Sequence, residues 1–190
     1  MALGDSIVGI CNIALTALGE TPITALTDPV KRAILCSARY DDVRRAVLRG
    51  HPWNCARKVA NITSADPAPV AGYSFAYPLP QDFMRMVEFT DDPIAAWDVV
   101  GDKLYADDGP PLAITYIFDL QDPSKFDPLL VQAIGYSLAV ELAQPLTQSP
   151  TKQQAAMTML QEKMGMARTV GSQENSVKPW DVDIWLRSRW

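Results

Sequence analysis

The chain has 190 residues, 48% of them hydrophobic and 21% charged, with a formal net charge of −5. That composition is globular, long enough for one complete core or for one core carrying an inserted subdomain, and it excludes a disordered tail. No window approaches the run of about eighteen uninterrupted apolar residues of a membrane span, and the start MALGDSIVGICNIAL has neither the basic segment nor the cleavage site of a signal peptide. The sequence therefore predicts a protein that makes no use of membranes and stays in the cytoplasm where it is made.

In chain order, Ile7, Ile10, Cys11, Ala14, Ala17 and Leu18 fall on one stripe of a helix over Asp5 to Leu18, and Gly19 follows as its stop. Thr27 or Asp28 offers a cap and Pro29 a first position for a second helix. There Ala33, Cys36, Tyr40, Val43 and Val47 step by three and four up to Gly50. Its other faces carry Arg32, Arg39, Arg44, Arg45 and Arg49. Residues 28 to 58 thus hold eight Lys/Arg against three Asp. Gly50 and Pro52 break the helix, and Trp53 follows the break.

Residues 64 to 80 contain four of the fifteen prolines and no regular period, a crossing into another layer. Beyond it, Phe83 to Phe89, Trp97 to Val100, Lys103 to Tyr105 and Leu112 to Phe118, separated by turn residues, read as antiparallel strands of one small sheet. This stretch is acidic: residues 81 to 127 hold eleven acids against three bases. Asp127 and Pro128 then cap a helix that is apolar on nearly every side through Ala143, with Glu141 as its one acid and an expected pairing with an Arg or Lys across a helix contact. Pro145 is read as its stop. Ser149-Pro150 caps a last helix over Thr151 to Thr169, whose Met157, Met159, Met164 and Met166 form a soft surface. After Gly171 the period ends, yet three of the five tryptophans, Trp180, Trp185 and Trp190, lie here with Arg187 and Arg189. Exposing them costs about 2 kcal/mol each relative to burial, so this tail either folds back on its own core or docks on a neighbour.

The fold class is mainly α with an inserted small antiparallel β-sheet, an α+β protein. Residues 1–171 form one domain, a helical bundle from about 5–60 and 127–171 with a β insertion at about 61–126, and 172–190 form a C-terminal aromatic arm.

Catalytic motifs are sparse. Cys11, Cys36 and Cys55 show no CxxC spacing, and one histidine, His51, leaves little to ligate a metal or to serve as a general base. No phosphate-binding glycine loop occurs. The acidic pairs Asp41-Asp42, Asp91-Asp92 and Asp107-Asp108 read as solvated turn or helix residues. The basic second helix admits a nucleic-acid-binding regulator as an alternative, but its arginines spread around the helix and the whole chain is acidic. A small soluble enzyme with an unrecognised site is the other alternative.

The run Ile10-Cys11-Asn12-Ile13-Ala14-Leu15 through Leu18-Gly19-Glu20, then Ile23 to Leu26, Tyr40, Arg44-Arg45, Leu48 and His51-Pro52-Trp53-Asn54, resembles the N-terminal half of phage head-to-tail adaptor proteins, the tail tubular protein A family. The likeness covers residues 7 to 60 and continues beyond them in element order. It implies a structural virion protein with no catalytic residues, cofactor or metal, assembled in the bacterial cytoplasm and ending at the head–tail junction. Such a protein forms a homo-oligomeric ring of twelve under the portal protein, extends the DNA channel and joins a downstream tail or nozzle protein. Genome DNA passes through without sequence-specific binding. On that resemblance Trp180, Trp185, Arg187, Arg189 and Trp190 are the expected anchors on the portal or a neighbouring subunit. Asp91, Asp92, Asp107 and Asp108 are expected to face the channel, where like charge would keep DNA from adhering. Trp53 is expected to close the end of the bundle against the sheet.

Overall fold

The computed structural model describes residues 6–63, 66, 72–90 and 95–174. The protein is an α+β fold, with helices α1 (Ile7–Ala17), α2 (Lys31–Gly50), α3 (Pro128–Thr147) and α4 (Pro150–Glu174). Between the helix pairs lie strands β1 (Arg57–Ile62), β2 (Phe75–Pro78), β3 (Phe83–Phe89), β4 (Trp97–Val100), β5 (Lys103–Ala106) and β6 (Leu112–Phe118). The β region forms two three-stranded antiparallel sheets rather than one, in the orders β1-β6-β3 and β2-β5-β4.

α1 starts where Ser6 accepts a hydrogen bond from the Gly9 amide at 3.1 Å. It ends at Gly19, whose φ of +70° only glycine adopts without strain, while Glu20 donates back to Leu15 at 2.9 Å. The start of α2 differs from expectation. Asp28 does not cap it; its carboxylate instead accepts from the Thr24 and Ala25 amides at 2.9 and 3.1 Å and closes the preceding turn, and the helix begins two residues past Pro29. α3 begins as read, with Asp127 accepting from the Leu129 amide at 2.7 Å and Pro128 in the first turn.

Pro145 does not end α3, which continues to Thr147 with the proline inside it. A proline frees the carbonyl four residues back. Here the last turn is held from outside the ladder: Lys31 donates to the Pro145 carbonyl at 2.6 Å and Thr147 to that of Ala143 at 2.7 Å. The chain then reverses through Gln148, in the left-handed region at φ 49°. α4 runs past Gly171 to Glu174, three residues beyond the expected domain boundary. Glu141 is exposed, and no ion pair to it occurs among the described residues.

By length and composition α3 would suffice to cross a membrane. In this fold it is the central helix, and α1, α2 and α4 all pack on it. Gly135 lets α1 approach, since a Cβ there would stand 2.7 Å from Ile13 Cγ2. The helical core gathers Leu15, Leu18, Leu48, Leu130, Ile134 and Leu138, all fully buried, and reaches Met84 and Ile117 at the base of the first sheet. A second core lies between the sheets, where Met86, Ile114 and Tyr116 meet Tyr77 and Leu104. β6, the central strand, serves both: Leu112, Ile114 and Tyr116 face the second sheet while Ile117 turns to the helices. This double duty is why its two alternating faces are both apolar.

Candidate assembly surfaces

The N-terminal motif residues act as fasteners. Asn12 holds the chain after α1 by both amide ends, its Nδ2 donating to the Ile23 carbonyl at 3.0 Å and its Oδ1 accepting from the Ile23 amide at 2.8 Å. Cys11 and Cys36 meet between α1 and α2, and their hydrogen bond together with burial drives the Cys11 thiol far above its usual range. Trp53 is 3% exposed, donates its indole N–H to the Val47 carbonyl at 3.0 Å, and lies in the core cluster that also holds Met84 and Ile117. The His51 ring stands edge-on to it at 4.7 Å.

Arg44 joins the helical base to the β region. Its side chain is 4% exposed, donates to Asp119 Oδ1 at 2.5 Å and to the Leu120 carbonyl at 2.8 Å, and reaches Asp41 at 3.4 Å. Burial by itself would raise the Asp119 carboxyl, but the Arg44 hydrogen bond and charge outweigh it and hold the group below its ordinary value. Arg49 extends the joint, donating to the Met84 carbonyl at 2.6 Å. Of the arginines on this helix, Arg44 is buried and Arg49, though exposed, is tied to the β region, while Arg39 and Arg45 are exposed. Tyr40, another motif residue, is 3% exposed, and its hydroxyl has no hydrogen-bond partner among the described residues. Burial pushes its ionisation up to about 12 against the pull of Arg44.

The lone histidine lines a cleft of about 30 Å³ with Asn54, Cys55, Asp127, Gly171 and Glu174. The space suits a water molecule and falls far below the several hundred Å³ of a metabolite site. Burial, then the charges of Arg168 and Arg85, lower the His51 pKa, and burial raises that of Cys55. Near neutral pH these two groups are thus a neutral imidazole and a neutral thiol, the opposite of an activated thiolate–imidazolium pair. What the cleft does is hold α4: Asn54 Nδ2 donates to Glu174 Oε2 at 2.5 Å, and Gly171 passes close to the imidazole. Among the described residues no group of three or more His, Cys, Asp or Glu is placed to hold a metal ion.

Of the expected interface residues, Trp180, Trp185, Arg187, Arg189 and Trp190 lie outside the described residues, as do Asp91 and Asp92. Asp107 and Asp108 are exposed in the turn after β5. Asp107 accepts from the Ser74 amide and hydroxyl at 2.9 and 3.0 Å, and the Asp108 carbonyl accepts from the Tyr77 hydroxyl. Sequence reading did not find the outward-facing apolar side chains Ile34 (61% exposed), Val59 (60%) and Val100 (61%), because isolated β-branched residues carry no period of their own. No family model matches the chain, and no curated protein matches it.

Proposed function

We propose that this chain is a head-to-tail adaptor of a tailed phage: a structural virion protein that docks as a ring under the portal, extends the DNA channel and connects to the tail component below. One observation carries the reading. The residues on which the resemblance to the tail tubular protein A family rests, Asn12, Ile23, Arg44, Trp53 and Asn54, are the same ones that fasten the helical base, the β region and the end of α4 to each other. A framework motif of this kind suits a protein whose function is to hold a shape. The exposed methionines Met157 and Met166 on a 25-residue helix with only Ala156 and Ala167 buried favour a partner-bearing surface over a solvent-bridging one. In this reading Trp180, Trp185, Arg187, Arg189 and Trp190 anchor on the portal or a neighbouring copy, and the aspartates at 91, 92, 107 and 108 face the channel.

Co-sedimentation with assembled portal rings from the same genome tests the proposal, using the full chain beside a chain ending at Glu174. The full chain is expected to pellet with the portals. The shortened chain, keeping its helical circular dichroism because it retains α4 to Glu174, is expected to remain in the supernatant. A full chain that never pellets with portals contradicts the adaptor reading, and a shortened chain that unfolds places the arm in the core.

A further inference from the structure

The edge of a β-sheet presents backbone amides and carbonyls without ladder partners, and folded proteins cover, charge or fill such edges. The edge of β2 is met by Asp66, whose amide donates to the Ala76 carbonyl at 2.7 Å, and β3 lies against α2, whose Arg49 binds the Met84 carbonyl. β4 is only four residues long. β1 offers six: among the described residues it pairs with β6 alone, and no hydrogen bond from outside that ladder reaches the backbone of residues 58–62. Both faces of this edge are unfinished as well. Ala60 and Ile62 are half-buried at the rim of the core between the sheets, and Val59, on the opposite face by alternation, is 60% exposed.

The chain supplies a strand-forming segment at this place. α4 ends at Glu174, whose carboxylate accepts from Asn54 Nδ2 at 2.5 Å, so residues 175–190 leave the helix beside the short turn that leads into β1. Beyond Pro179 the sequence has a period of two, with Val182, Ile184 and Leu186 alternating with Asp181, Asp183, Trp185 and Arg187. At about 3.3 Å per residue, residues 181–187 match the length of β1. Charge sets the direction. A course parallel to β1 brings Asp181 and Asp183 beside Arg57 and Lys58 and carries Arg187 away from them, whereas an antiparallel course sets Arg187 against those two cations.

We propose that residues 181–187 add to the open edge of β1 of their own chain as a parallel fourth strand of the first sheet. Main-chain hydrogen bonds supply the attachment, as in recognition by strand addition, and the short tether from Glu174 supplies a high effective concentration. With Val182, Ile184 and Leu186 on the side of Ala60 and Ile62, the apolar triplet extends the core between the sheets. Trp185 then stands on the side of Val59, and the two form one apolar patch that still faces outward and is open to the portal or a neighbouring copy. Strand addition itself needs neither ring nor portal, so it stands or falls separately from the adaptor reading.

Amide hydrogen exchange of the full chain, of a chain ending at Glu174 and of the full-length Ile184→Pro variant tests this with no portal present. Proline removes the amide at the middle of the added strand, so it cannot complete the ladder. In the full chain the outward-facing amides among residues 58–62 are expected to exchange about tenfold or more slowly than in the shortened chain. Ile184→Pro is expected to match the shortened chain, with β6 and the helices equally protected in all three proteins. The slowing is also expected to be the same at every protein concentration, as a strand tethered to its own sheet requires. Full-chain exchange at these amides no slower than that of either altered protein overturns the proposal. Protection that fades on dilution overturns it too, because the strand would then come from a second copy. Loss of protection spreading through β6 and the helices would make the tail a part of the core and equally overturn its placement on the edge.

Discussion

Tyr40 and Arg44, one helical turn apart on α2, show how the same motif can hold a residue for shape and another for its charge. The buried Tyr40 hydroxyl has no partner among the described residues, so it contributes ring volume and a desolvation penalty. Tyr40→Phe is expected to leave stability unchanged or raise it by up to about 1 kcal/mol in urea unfolding, and a loss of that size would reveal a partner for the hydroxyl. Arg44 is the reverse case, since removing its partner leaves a buried cation. Asp119→Asn should cost about 2 kcal/mol at pH 7, less than the ~3–5 of a wholly buried pair because Asp119 keeps solvent contact. Its pKa is depressed below 3.8 in the fold, so the contribution is complete above the unfolded value and lost as pH falls through the folded one. The stability gap between the two proteins should therefore be flat above about pH 5 and close below 3.8. A gap that persists undiminished into strong acid would mean the ion pair is not its source. The sequence displayed Arg44 as one arginine among several. Its partner lies 75 residues away, and no local period records such a distance.

Among the elements, the ones that declared themselves carry their signal locally. α1, the start of α3, the start of α4, and strands β3 to β6 follow from a stripe or an alternation bounded by caps and turns, and the structure places them within a residue or two of expectation. The misplaced boundaries are those settled by distant contacts. α3 passes through Pro145 because Lys31, 114 residues away, binds its last turn, and α2 starts late because Asp28 is taken by the Thr24 turn. β1 and β2 went unread because β1 is an edge strand whose exposed and half-buried residues do not alternate strictly and β2 is only four residues beside prolines. Gly135 was equally silent in sequence, and it sets how closely α1 approaches α3. Gly135→Ala gains helix propensity of about 1 kcal/mol but forces a 2.7 Å contact on Ile13, whose β-branched side chain cannot swing clear. A net loss of about 1–2 kcal/mol is expected in thermal unfolding, relieved in part when Ile13→Ala, which removes the Cγ2 methyl in contact, is added, and not by Ile13→Val, which keeps it. A variant as stable as the parent would show that the helices can part without penalty.

For the whole molecule, a helical base and a two-sheet β region joined through Arg44, Arg49 and the shared strand β6 form one body with apolar and charged surfaces turned outward. Much of the expected interface was named from the C-terminal tryptophans and arginines, which lie outside the described residues, whereas the exposed apolar side chains Ile34 on α2 and Val100 on β4 emerged only once the chain was folded. The His51 cleft holds about 30 Å³, and on the proposed adaptor reading the molecule acts through its outer surfaces. Negative-stain imaging of the purified chain, alone and mixed with the portal protein of its own genome, tests this most directly. The account predicts closed rings, or portals that gain an additional collar of the same symmetry. Bare portals beside a chain that stays monomeric at every concentration would contradict it.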